Sequence, residues 1–149
     1  MNTERHIKSL KPKIAYALFD WASSPTPTLH ATFVFAVYYV GSVSNENGSA
    51  EWAWMNSLAA LTVALISPFL GANADRNSSR KFWLGTMSLI GSIATAFLWK
   101  VEPNQTWIFY ALVLSFISIV SMESLFVFYN ALLPIVSSKE KMGLVSGLS

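Results

Sequence analysis

Cysteine is absent from the chain, which excludes disulfides, thiolate metal sites and cysteine nucleophiles. Charge is scarce: 12% of the residues are Asp, Glu, Lys or Arg, where soluble domains carry roughly 25%. The only histidines are His6 and His30. A zinc site needs several ligands held together, so no metal is expected. No phosphate-cradling loop of the Walker type occurs, which leaves ATP-driven work unsupported. The formal net charge of +2 comes without a basic face interleaved with aromatics, so no nucleic-acid partner is expected. Nothing resembles a serine, cysteine or metal constellation, so no enzyme and no cofactor are expected. No cleaved secretory signal is expected either. The polar, basic start MNTERHIKSLKPK is followed by Asp20, Pro25 and Pro27, not by an uninterrupted apolar core.

What the chain does have is apolar length. Of its 149 residues 53% are apolar, and they come in blocks near the ~20 residues that carry a helix across a bilayer. Four such segments are expected, near 14–43, 52–72, 82–99 and 107–128. Short polar connections, SNENGSAE, ADRNSSRK and KVEPNQ, make neighbouring helices antiparallel. The fold expected is therefore an all-α integral membrane bundle. Residues 1–13 form a tail, 129–142 a link, and 143–149 read as the beginning of a fifth helix.

Lysine and arginine at membrane ends set orientation. Arg5, Lys8, Lys11, Lys13, Arg76, Arg80, Lys81, Lys139 and Lys141 fall on one side, and Lys100 on the other. The side holding nine of the ten basic residues should be cytoplasmic, and it includes the N-terminus. Trp52, Trp54, Trp83, Trp99 and Trp107 lie near the expected ends, as an aromatic belt requires.

A few polar residues sit where lipid should be. At ~100° per residue Asp20, Ser23, Ser24, Pro27 and His30 share one broad face of the first helix. The prolines make that helix irregular, and irregular backbone at membrane depth tends to line a cavity. The alternative is a helix beginning near Thr28, with Asp20 in interfacial water. Glu123 interrupts the run SFISIVSMESLFVF, ~8 Å inside the expected end of helix four. A carboxylate there is costly unless it is paired, hydrated or protonated. It suits either proton coupling or a structural hydrogen bond. His30 is either a proton relay or a packed polar residue. Ala111, Ser115, Ser118 and Met122 form a stripe that reads as a close-packing face, because small residues let helices approach. Glu123 lies about 100° away from it.

The second loop runs GANADRNSSRK. Gly71, Ala74, Asp75, Arg76, Arg80 and Lys81 resemble the signature between helices two and three of the major facilitator superfamily, with Asn73 and Ser78 departing from it. The stretch from Tyr16 to Ser24, YALFDWASS, is similar to the start of helix one in the vacuole-effluxer-like branch, which is related to autophagy-linked vacuolar amino-acid exporters. Phe128 to Pro134, FYNALLP, followed by GLVSG from Gly143, is similar to that branch's link between helices four and five. The Pro25-Thr26-Pro27 insertion is not typical of it.

The resemblance implies a transporter of about twelve helices, built as two six-helix halves around an alternately opening cavity. This chain would supply the N-terminal portion and lack the C-terminal half. The resemblance assigns Gly71, Asp75, Arg76, Arg80 and Lys81 to a cytoplasmic gate. It marks Asp20, Trp21, Tyr129, Asn130 and Pro134 as motif positions of the branch. The expected function is secondary transport of small polar solutes, with amino acids as a candidate class and Asp20, Glu123 and His30 as candidates for transport or proton coupling. The expected partners are the bilayer, a solute and protons, and the expected location is a bacterial inner membrane. The alternative is a non-transporting four-helix scaffold, or the remnant of a truncated gene.

Overall fold

The computed structural model describes residues 14–136, apart from 17, 26, 45, 77 and 78 and the side chains of 27, 31, 32, 74, 75 and 131–136. The N-terminal tail, the link beyond 136, the expected fifth helix and the side chains of Asp75 and Pro134 therefore lie outside the described residues. Among those described there is no strand, and the protein is an all-α bundle.

Residues 14–43 are helical in pieces, here called α1. Wide π turns occupy Pro27–Phe33 and Tyr39–Val43, on either side of a short α turn at Phe35–Tyr38. Their hydrogen bonds skip one residue more than an α-helix allows: Val34 N–H donates to the Leu29 carbonyl at 2.7 Å, and Ser44 N–H to the Tyr39 carbonyl at 2.8 Å. Proline has no N–H to donate, so a regular ladder cannot run through Pro25 and Pro27. Three regular helices follow: α2 (Gly48–Arg76), α3 (Arg80–Phe97) and α4 (Ile108–Val136). All three are long and apolar enough to cross a membrane. Several of their hydroxyls are satisfied within their own helix. Ser57, Thr62, Ser67, Thr86 and Thr95 each donate to the carbonyl four residues back, at 2.5–2.9 Å.

The bundle is organised around α4: 44% of its most apolar 18-residue stretch is buried, against 11% for that of α2 and 17% for that of α3. Its small-residue stripe is the reason. Ala111, Ser115, Ser118 and Met122 are all buried, joined by Ser121, Ser124 and Leu125. Gly91 and Ala94 of α3 face this stripe. A Cβ built on Gly91 would lie 3.0 Å from Met122 Cε and 3.3 Å from Ser121 Cβ, so glycine sets the separation. The hydroxyls of Thr95 and Ser118 meet across the seam at 2.7 Å. Trp83 stacks on Phe128 at the other end, with ring centroids 6.1 Å apart.

Two clusters fix α1. Near one end of the bundle Ala36, Tyr39 and Val43 pack with Trp52, Met55, Leu98, Val101 and Ala111. Tyr38 Oη donates to the Val101 carbonyl at 2.8 Å. Near the other end Tyr16 packs against Tyr129. Hence α1 runs antiparallel to α4. The hydroxyls of Tyr39 and Ser44 both donate to Glu51 Oε2 at 2.6 Å, tying the end of α1 to the start of α2.

The helices overrun their expected limits. α2 begins at Gly48 and ends at Arg76, and α4 continues to Val136 through a stretch expected to be part of the link. The extension of α4 is tertiary in origin: Tyr129, just past the expected end, is buried against Tyr16.

Candidate functional site

Tyr16 and Tyr129 join the two motifs assigned from sequence to the branch. Their rings stack at 4.0 Å with 14° between planes, and Tyr129 Oη donates to the buried Tyr16 carbonyl at 3.0 Å. Phe19 adds a second ring to Tyr129 at 5.5 Å. This contact gives the axial register of the two helices. At 1.5 Å per residue Asp20 lies ~6 Å along α1 from it, and Glu123 ~9 Å along α4 in the same direction. The two residues therefore lie within ~3 Å of one level, one to two helical turns inside the tyrosine pair.

They occupy different faces. On α4 Phe109, Val113, Ile117, Glu123 and Asn130 form an exposed face, with Glu123 and Asn130 about 100° round the helix from the serine stripe. Glu123 stands on this unpacked face, ~20 Å along the axis from Val136. Asp20 is half-buried and Trp21 is 73% exposed. Ser24 Oγ folds back onto the Asp20 carbonyl at 2.8 Å. His30 does not share their surroundings. It is buried, stacked on Phe35 at 5.4 Å and tilted against Trp52 at 6.5 Å. The single polar face expected from a 100° step is split, because π turns advance by a different angle per residue.

The loop motif lies at the far end of α2. Gly71 is half-buried, and a Cβ there would meet nothing within 4 Å. Arg76 closes α2 and is exposed, Arg80 opens α3 half-buried, and Lys81 is exposed. The backbone of Ser79 caps α3, its carbonyl accepting from Trp83 N–H at 3.1 Å. Sequence reasoning passed over Gly91, Tyr39 and Glu51. The GxxA spacing of Gly91 and Ala94 was a usable signal for the first. Nothing local announces that Tyr39 and Ser44 converge on Glu51.

Three membrane-length helices behind a broken one define a multi-pass membrane bundle. Residues 36–144 match the family described as Vacuole effluxer Atg22 like, and the chain belongs to that family. Over 141 residues it is 28% identical to the uncharacterized MFS-type transporter YxiO of Bacillus subtilis (strain 168), an alignment covering 91% of this chain and 32% of YxiO. The chain thus spans about a third of the length of this curated relative. No solved structure matches it. The family match agrees with the resemblance read from the loop and helix-end motifs.

Proposed function

We propose that the chain is the N-terminal portion of a secondary active transporter that moves small polar solutes by alternating access, with amino acids as the first class to test. The observation that carries this reading is the exposed face of α4. Glu123 and Asn130 lie there, about 100° round the helix from the serine stripe. A carboxylate at membrane depth is costly against lipid, by about 3 kcal/mol on insertion scales, and such residues usually face a water path or bundle interior. Asp20, near the same level on α1, supplies a second carboxyl. The broken helix fits a cavity wall, since irregular backbone is tolerated where it lines an aqueous space. In this reading the N-terminus is cytoplasmic and the membrane is the bacterial inner membrane. Gly71, Asp75, Arg76, Arg80 and Lys81 form the cytoplasmic gate.

The test is solute movement by the full-length protein in proteoliposomes, across an amino-acid panel, with and without a proton gradient. Uptake or efflux of at least one solute is expected, and Glu123→Gln should flatten its pH dependence. Transport by neither direction across the panel overturns the reading. Unchanged pH dependence in the variant removes Glu123 from coupling. A reading frame without further hydrophobic spans favours the scaffold or remnant.

A further inference from the structure

The two halves of α1 are held unequally. The C-terminal half is bolted to its neighbours. Tyr39 is fully buried and lies against Trp52 with ring centroids 5.4 Å apart. Its hydroxyl and that of Ser44 both donate to Glu51, and Tyr38 Oη donates to the Val101 carbonyl. The N-terminal half, residues 14–24, is held through the cluster of Tyr16 and Phe19 on Tyr129, with Leu84 and Phe126 beside it. Around that cluster Ile14, Leu18 and Trp21 are exposed.

Between the halves the helical ladder is interrupted. Pro25 and Pro27 have no N–H, so the Trp21 and Ser23 carbonyls four residues back lose their α-helical donors. The chain continues as the π turn at Pro27–Phe33. Prolines and π turns are the places where helices bend sharply. On the N-terminal side the ladder is intact up to the break: Ser24 N–H and Oγ both donate to the Asp20 carbonyl, at 2.9 and 2.8 Å. Residues on that side therefore move as a unit, whereas the other half cannot leave Glu51 and Val101 without breaking three hydrogen bonds.

We propose that residues 14–24 are a hinged arm that swings off α4 about Pro25 and Pro27, with the Tyr16–Tyr129 contact as its latch. The arm carries Asp20, so each swing takes the α1 carboxyl away from the level of Glu123. That the swing gates a solute path rests on the transport reading above; the swing itself does not.

Leu18 and Val37 are exposed on either side of the prolines, and Ile117 is exposed on α4. Nitroxide pairs at Leu18 and Ile117, and at Val37 and Ile117, report each half by pulsed dipolar spectroscopy. The sample is the full-length protein, freed of other cysteines, in nanodiscs. Two distances are expected for the first pair and one for the second. Tyr129→Phe keeps the ring and removes the bond to the Tyr16 carbonyl. It should raise the ratio of displaced to latched arm about two- to twelvefold, the range one hydrogen bond supplies. Pro25→Ala combined with Pro27→Ala restores two donors and should shrink the displaced fraction. A single Leu18 distance that Tyr129→Phe leaves unmoved overturns the arm. Two distances in both pairs would mean that α1 moves as one body, and a displaced fraction indifferent to the prolines would mean that the bend lies elsewhere. Either result overturns the hinge. If the proline variant does not fold, the unmodified protein and Tyr129→Phe decide. A swinging arm in a protein that moves no solute would leave this proposal standing and sink transport. A fixed arm in a working transporter would do the reverse.

Discussion

Gly91 carries a close contact between α3 and α4. Its missing side chain lets α3 approach Ser121 and Met122, so an added Cβ makes the Met122 methyl move and Ser121 give way slightly, and a branched side chain asks for more. Gly91→Val should cost about 1–3 kcal/mol by overpacking, read as a lower Tm in detergent. Gly85→Ala is the control: a Cβ there meets nothing within 4 Å, and the Tm should hold or rise. Glu51 is the second residue on which local structure turns. Its Oε2 accepts two hydroxyls at 2.6 Å, one from Tyr39 and one from Ser44. Hydrogen bonds to an ionised acceptor are roughly twice as strong as neutral ones. Glu51→Gln should therefore destabilise by about 1–3 kcal/mol. In a double-mutant cycle with Tyr39→Phe the two losses should fall short of additive, because both remove one shared bond. Strict additivity would show that the pair does not act together.

At the scale of elements, α1 and α4 are held by different devices at their two ends. Near Ala111 a continuous apolar cluster does the work, while near Tyr129 one stacked pair and one hydrogen bond do. The second end is the easier to open. Tyr129→Phe keeps the ring and loses the bond to the Tyr16 carbonyl, for about 0.5–1.5 kcal/mol. Tyr129→Ala loses the ring as well, for about 3–5 kcal/mol. Amide exchange in α1 around Tyr16 and Phe19 should accelerate in that order, while exchange around Tyr39 stays slow. Uniform acceleration along α1 would mean that the two ends do not open independently. The serine stripe of α4 was legible from its three- and four-residue spacing, because that spacing is what packing against a neighbour requires. The turn geometry of α1 was not. Two prolines announce irregularity, but where the hydrogen bonds resume depends on Trp52 and Val101 waiting to receive Tyr39 and Tyr38.

At the scale of the molecule the open question is which side of the membrane each loop meets. A cysteine at Gln105 should react with a membrane-impermeant maleimide added outside intact cells. One at Ser79 should react only after permeabilisation. The reverse pattern would invert the topology and move the basic loop, with Arg76, Arg80 and Lys81, out of the cytoplasm. The same cells report whether the gate assignment holds. Arg76→Ala should reduce solute flux severalfold with little change in Tm, since Arg76 is exposed at the end of its helix. A large loss of Tm would make it a structural residue instead.

Membrane class and the three membrane-length helices follow from the sequence, because they depend on apolar length and on how rarely charge interrupts it. Both are one-dimensional properties of a chain partitioning between lipid and water. The loop signature and the two helix-end motifs were likewise readable as strings, and they led to the family. Only the folded bundle brought Tyr16 onto Tyr129, set Asp20 and Glu123 near one level, left Glu123 on an unpacked face and buried His30 against Phe35. Those relations depend on which helix lies against which and at what rotation. That is decided by side-chain packing between segments a hundred residues apart, beyond the reach of local periodicity.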